Sequence, residues 1–233
     1  MIASSQPQPS QRVRTEWEHR VVAEYASSAI TQQYTWWLTR IGCSPPLIER
    51  AIQVALDELE HASLSGELAR HLGGVPIETP NEALVLSETG DFERDVVVAT
   101  FDIFCLHETV ASSLFNMLRR CATQPMALAV LDRIVQDEPS HGQLGWEILD
   151  WMLINGLGEI VKSVLIEQAP SMVSSLRQIY GDDPTAAPLT QNERAWGLAD
   201  ASEYGPVVER TLHGTVARRL ARRDLTIGDG SPI

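Results

Sequence analysis

Apolar residues recur at intervals of three and four over long stretches of this chain. No alternating run is closed by an Asn-Gly or Asp-Gly turn, so the pattern predicts helices and no sheet. A first helix is expected from Thr15 to Ile41, ended by Gly42 and by Ser44-Pro45-Pro46. A second follows from Pro46 to Leu72 and is closed by Gly73-Gly74. From Gly73 to Gly90 the chain carries Pro76, Pro80 and Asn81 with little periodicity, which reads as a long connection. A third helix spans Asp91 to Cys121, and after Thr123-Gln124-Pro125 a fourth runs to Ile154, where Asn155-Gly156 stops it. A fifth covers Glu159 to Tyr180 with a bend at Pro170, which has no backbone N–H to donate. Gly181 to Asn192 reads as a surface loop, and a last helix runs from Pro206 to Arg223. The expected organisation is one helical domain over 15–223, between a disordered leader at 1–14 and a flexible tail at 224–233.

Several positions on the inward faces are polar. In the second helix the stripe Ile48, Ala51, Ile52, Ala55 runs in phase into Glu58, then into Leu59 and Ala62. In the fourth, Leu131 and Ile134 lead in phase to Glu138 and His141, then to Gly145 and Ile148. The third places Glu108 in the middle of Val97, Phe101, Phe104, Ala111, Phe115 and Leu118. On the first, Trp17, Val21, Glu24, Ser28, Thr31, Thr35 and Leu38 keep the spacing, which selects Glu24 over Glu16 and Glu18. A carboxylate pointing into an apolar core is costly unless a cation or a proton partners it.

Two of these residues belong to a repeated motif: Asp57-Glu58-Leu59-Glu60-His61 and Asp137-Glu138-Pro139-Ser140-His141 are both D-E-x-x-H. Glu and His three apart on a helix share a face and can reach one point beside the axis. One such match is weak evidence, but two copies with the same preceding Asp, together with Glu24 and Glu108 in phase, specify a dimetal site. Glu108 and Glu138 lie about equally far from the Pro125 turn, so antiparallel helices bring them level. At about 3.4 Å per residue the Gly73–Gly90 connection reaches roughly 60 Å, enough to pass along a helix of about 40 Å and leave the second and third helices parallel. Four carboxylates and two neutral imidazoles balance two divalent cations, and the mixed O and N donors suit two Fe ions, with Mn or a mixed Mn/Fe pair as the other fit. Pro139 removes the bond to the Val135 carbonyl and is expected to bend the helix at the metal. His19, His71, His107 and His213 lack such a context and read as non-ligands. Trp36, Trp37, Trp146 and Trp151 read as core or interface aromatics, and Cys105 as packing.

The charge narrows the partners. With 31 acidic against 18 basic residues and a net charge of -13, the chain would repel a phosphate backbone, so nucleic acid is excluded. The sequence shows no apolar run near the roughly 20 residues that span a bilayer, and no secretory segment, so a cytoplasmic protein without a membrane partner is expected. Cys43, Cys105 and Cys121 form no CxxC pair and read as reduced thiols.

The order Glu24, Glu58 with His61, Glu108, Glu138 with His141 resembles the ferritin-like superfamily of di-iron carboxylate proteins over nearly the whole chain. The blocks Glu24–Ser27, Asp57–Ala62, His107–Ala111 and Asp137–Trp146 are similar to a bacterial group of stand-alone ferritin-like proteins. The resemblance implies a four-helix bundle with a long crossover between helices two and three, plus two C-terminal helices. It also implies that Asp57 holds His141 and that Asp137 holds His61. A radical tyrosine of ribonucleotide reductase small subunits would stand at Ser65, and the extra histidine of arylamine N-oxygenases at Ile134, so neither activity is expected. Ser112 occupies the place of the hydroxyl that can assist proton delivery in multicomponent monooxygenases, and Asp137–Gly142 resembles the last motif of aldehyde-deformylating oxygenases. The expected function is a di-iron oxidase or oxygenase that uses O2 on a small, partly apolar organic substrate, with an electron donor and a homodimer as compatible partners. A ferroxidase or iron-handling protein, and a metal-stabilised interaction bundle without turnover, are the competing expectations.

Overall fold

The computed structural model describes residues 9–74, 85–181 and 187–228, and among them the protein is all-α. The expected leader lies outside the described residues up to residue 8. So do residues 75–84 of the long connection, 182–186 of the loop and 229–233 of the tail.

Helix α1, Gln11–Arg40, starts four residues before the expected Thr15, because the Ser10 side chain accepts from the Val13 N–H and caps the first turn. Pro45 and Pro46 open α2, Pro45–His71, where their missing N–H groups cost nothing. Asp91 caps α3, Phe92–Cys121, by accepting from Arg94, and Pro125 opens α4, Pro125–Ile154. Cross-helix pairs fix the directions. Ser28 Oγ donates to the Ala55 carbonyl while Val21 lies opposite Gly66, so α1 and α2 are antiparallel. Gly142 faces Glu108 and Gly145 faces Phe104, so α3 and α4 are antiparallel. Asp57 meets His141 and His61 meets Asp137, so α2 also opposes α4 and therefore runs parallel to α3. Between α1 and α3, Tyr34 and Thr100 share a buried hydrogen bond of 2.5 Å, and Tyr34 stacks on Phe104 at 4.2 Å. A Cβ built on Gly145 would stand 2.6 Å from the Phe104 side chain and closer still to its carbonyl, so α3 and α4 touch there backbone to backbone.

Two departures from the expected pattern concern α3. Thr100–His107 is a π segment, in which the Glu108 N–H bonds the carbonyl of Ile103, five residues back. Beyond it the buried positions are Thr109, Val110, Leu114, Met117 and Leu118, and the expected Ala111 and Phe115 are only half-buried. The wider π turn shifts the inward face toward Val110 and Leu114, while Glu108 and Leu118 stay buried as expected. In α2, Ile52, expected on the inner face, is half exposed.

The C-terminal third differs more. The expected bend at Pro170 is a break at Gln168 that separates α5, Gly158–Glu167, from α6, Ala169–Ile179. A short α7, Gln191–Ala195, begins in the expected loop through a capping box of Thr190 and Glu193. The last helix begins at Ala201, ahead of the expected Pro206, because Asp200 and Glu203 form a second capping box. Ala201–Thr211, the π segment Leu212–Val216 and Ala217–Ala221 run on as α8. Arg219 donates to the Gly142 carbonyl at 2.6 Å, Arg223 pairs with Asp150, and both guanidinium groups lie over the Trp146 ring. The chain expected to fray after Arg223 is packed as far as Gly228, with Leu225 and Ile227 buried. α3 is long and apolar enough to cross a membrane by composition alone, but the other helices cover most of it.

Candidate metal centre

The buried carboxylates and imidazoles form two groups, and in each group the donor atoms lie within 4.8 Å of one another. Glu24, Glu58 and His61 make one, and Glu58, Glu108, Glu138 and His141 the other. Glu58 belongs to both, while Glu138, its counterpart in the second motif, belongs to one. All six sequence-selected ligands are brought together, and none is more than 7 % exposed. α4 stays helical through Pro139, and Glu138 and His141 both keep their inward positions. His19, His71, His107 and His213 stand outside both groups.

The histidines present Nδ1 to the carboxylates and Nε2 outward. His61 Nδ1 lies 3.6 Å from Glu24 and 3.7 Å from Glu58, and His141 Nδ1 lies 3.1 Å from Glu58. Nε2 of His61 faces Asp137 at 3.0 Å, and Nε2 of His141 faces Asp57 at 3.3 Å. An Nε2–H that donates to an aspartate leaves the Nδ1 lone pair free to bind a cation.

Crowding of charge away from water perturbs every member. Burial, then the charge of Glu58, raises Glu108 to about 7. Burial raises Glu24 to about 8 against the lowering contact with His61. Glu138 is lifted well above its usual range by burial and then by Glu108, Glu58 and Glu24. Burial pushes Glu58 the same way, but contacts with His141, His61 and Glu24 outweigh it and hold this carboxyl below the ordinary range. Burial disfavours the His61 cation, yet Glu24 and Glu58 prevail and raise it to about 10. His141 is raised against burial in the same manner, by Glu58 first. Without a metal, protons take the place of cations in the cluster.

The donor set fits a metal. Nδ1 of both histidines and Oε2 of Glu138 are buried and have no hydrogen-bond partner among the described residues, and all three are lone-pair donors at the centre of the cluster. The buried Glu/His group could therefore hold a metal ion.

Ser112 is not among these residues. It lines a polar groove with Ser113, Asn116, Arg120, Arg210 and Thr215 between α3 and α8, and no hydrogen bond joins its hydroxyl to the cluster among the described residues. Two residues near the centre escape a reading of the sequence. Arg133, one turn before Asp137, pairs with Asp137 and approaches Asp57, and the only signal in the sequence is that i, i+4 spacing. Tyr180 follows α6, stacks on Tyr204 and borders a cavity of about 280 Å³. Burial, and then the charges of Glu108 and Glu138, raises its phenol. Nothing local in the sequence marks it. Trp37 and Trp146 are buried, whereas Trp36 is exposed. Cys105 is a buried free thiol that burial pushes up.

The chain was compared with protein-family models, curated proteins and solved structures, and none of them matches.

Proposed function

We propose that this protein is a ferritin-like, non-haem di-iron oxidase or oxygenase that uses O2 to oxidise a small, partly apolar organic molecule. The observation that carries the reading is the pair of candidate ligand groups sharing Glu58 in a buried helical core. Iron bound there would supply O2 activation, for which open positions beside carboxylate ligands are required. The chain's own residues do the rest. Glu24 with His61 would hold one ion and Glu108 and Glu138 with His141 the other, and Glu58, which belongs to both groups, would serve both. Asp57 and Asp137 fix the imidazoles. Phe101, Phe104, Leu131 and Ile134 exclude water around the cluster. The cavity beside Tyr180, lined by Ile179, Leu189, Leu198 and Tyr204 together with the charged Arg12 and Glu16, is the candidate place for an organic substrate that carries a polar group.

An iron-handling protein is the second reading, because Asp57, Glu60 and Asp137 form an acidic approach to the centre. Arg133 sits among those carboxylates and pairs with them, which obstructs a cation path and favours the oxidase. The deciding experiment is elemental analysis of the purified protein, followed by anaerobic Fe(II) loading and stopped-flow absorbance after O2 is added. About two irons per chain and a transient absorbance band support the proposal. Less than half an equivalent of metal after reconstitution sinks it. Steady Fe(III) accumulation, with no organic substrate consumed from a panel of small apolar compounds, moves the assignment to iron handling.

A further inference from the structure

Arg133 stands on the outer side of the centre and reaches from α4 to α2. Its Nη1 donates to Asp137 Oδ2, and its Nη2 lies 3.8 Å from Asp57 Oδ1. Its Nε and Nη2 donate to the two oxygens of Glu60 at 3.3 and 2.9 Å. No other Lys or Arg pairs with either aspartate among the described residues. Asp137 serves His61, which belongs to the group with Glu24, and Asp57 serves His141, which belongs to the group with Glu108 and Glu138. A single guanidinium therefore touches both aspartates, and each aspartate orients the histidine of a different group.

We infer that Arg133 is a positioning residue shared by the two metal positions, governing the occupancy of both together through the aspartates and histidines. The inference rests on the metal-centre reading above. Its physical basis is the repulsion among Asp57, Glu60 and Asp137, which converge on one spot around Arg133. Both aspartates are partly exposed, so without the guanidinium the cheapest relief is for a carboxylate to swing toward water. The histidine it served then loses its acceptor, and the ring is free to rotate Nδ1 away from the cluster. Glu60 holds the Nε and Nη2 edge of the planar fork, which leaves Nη1 directed at Asp137 and sets Nη2 3.8 Å from Asp57. A lysine ammonium keeps the charge between the aspartates but lacks that fork, so it serves both less well.

The test is a titration of metal-free protein with Co(II), with both affinities read from equilibrium dialysis and from the cobalt absorption spectrum. Arg133→Gln is expected to weaken both positions by about tenfold or more, the usual scale for loss of a residue that orients ligands. Arg133→Lys is expected to weaken both by less. Asp57→Asn should weaken mainly the His141 position, and Asp137→Asn mainly the His61 position. The melting temperature of the metal-free variants separates positioning from folding, and Arg133→Gln is expected to melt close to wild type. Wild-type affinities in Arg133→Gln, or a loss confined to one position, overturn the inference. Should Arg133→Gln fail to fold, Arg133→Lys decides: equal weakening at both positions supports shared positioning, and wild-type or one-sided binding overturns it. A wild-type protein that binds no Co(II) removes the metal centre itself, whereas one that binds two ions with Arg133→Gln unaffected removes only the role of Arg133.

Discussion

Glu24, Glu58 and His61 come from two helices that are α-helical throughout, whereas Glu108 follows an eight-residue π segment and Pro139 stands between Glu138 and His141. The surroundings differ as well. The α3–α4 hairpin is clothed by α5, α6 and α8, with Arg219 and Arg223 anchored on α4. The α1–α2 hairpin leaves Trp36, Ile52 and Leu56 about half exposed or more. Similar ligand sets therefore sit on unlike scaffolds. The covered half can absorb a π turn and a proline because neighbouring helices hold it from outside, while the bare half relies on regular helix geometry. The close backbone approach at Gly145 belongs to the covered half.

The largest expected effect tests whether the halves are one unit. If the centre binds metal as proposed, Glu58→Ala should lose both ions, since both groups use Glu58. Glu24→Ala and Glu108→Ala should each lose about one ion by elemental analysis and remain folded. Equal losses in all three variants would erase the distinction between the halves.

The next prediction concerns pH. In the metal-free protein Glu24 and Glu108 keep their protons to about 8 and about 7, so between the ordinary carboxyl value of 4.5 and those values the folded chain binds more protons than the unfolded one. The stability this contributes is complete below the unfolded pKa and is lost as pH rises through the folded values. His61, raised to about 10, acts in the same direction. Differential scanning calorimetry of metal-free protein should show the melting temperature falling from about pH 5 to about pH 8. Bound metal should reverse the slope, because ligation needs those protons gone.

A pair of glycine substitutions compares the packing. Gly145→Ala, against the Phe104 backbone, should cost about 1–3 kcal/mol by overpacking. Gly66→Ala meets only the Val21 side chain at 3.7 Å, an ordinary contact, and should stabilise α2 by up to about 1 kcal/mol. Denaturant melts of both variants measure the asymmetry. The smallest effect is expected on the bare face, where Ile52→Ser and Leu56→Ser should shift stability by less than about 0.5 kcal/mol. A larger, concentration-dependent shift would mean that a second copy covers this face in solution.

The four long helices are legible because strong punctuation bounds them: Gly42 with Ser44-Pro45-Pro46, Gly73-Gly74, Thr123-Gln124-Pro125 and Asn155-Gly156 each fall within a few residues of an observed end. The burial of the six candidate positions is legible because a glutamate in phase with an apolar stripe would be buried at high cost unless a cation or a proton met it there. The π segment is not, since i to i+5 bonding leaves no residue signature and Val97, Phe101 and Phe104 look the same in either helix. Near the last helix Pro206 is the conspicuous residue, but the starts of α7 and α8 are set by the quieter capping boxes at Thr190 and Asp200. Arg133 and Tyr180 stay hidden because their relevance lies in partners that only the folded chain brings near.

Gly145 ligates nothing and touches no titrating group, yet it acts as the gauge of the aperture. One turn from His141, the absent side chain lets α4 lie on the backbone of α3 and thereby sets how far Glu138 and His141 stand from Glu108. On the proposed reading, the size of ion the centre would accept is recorded partly in an atom the chain leaves out. Exchanging that hydrogen for a methyl group would be expected to retune ionic-radius preference before it altered any ligand.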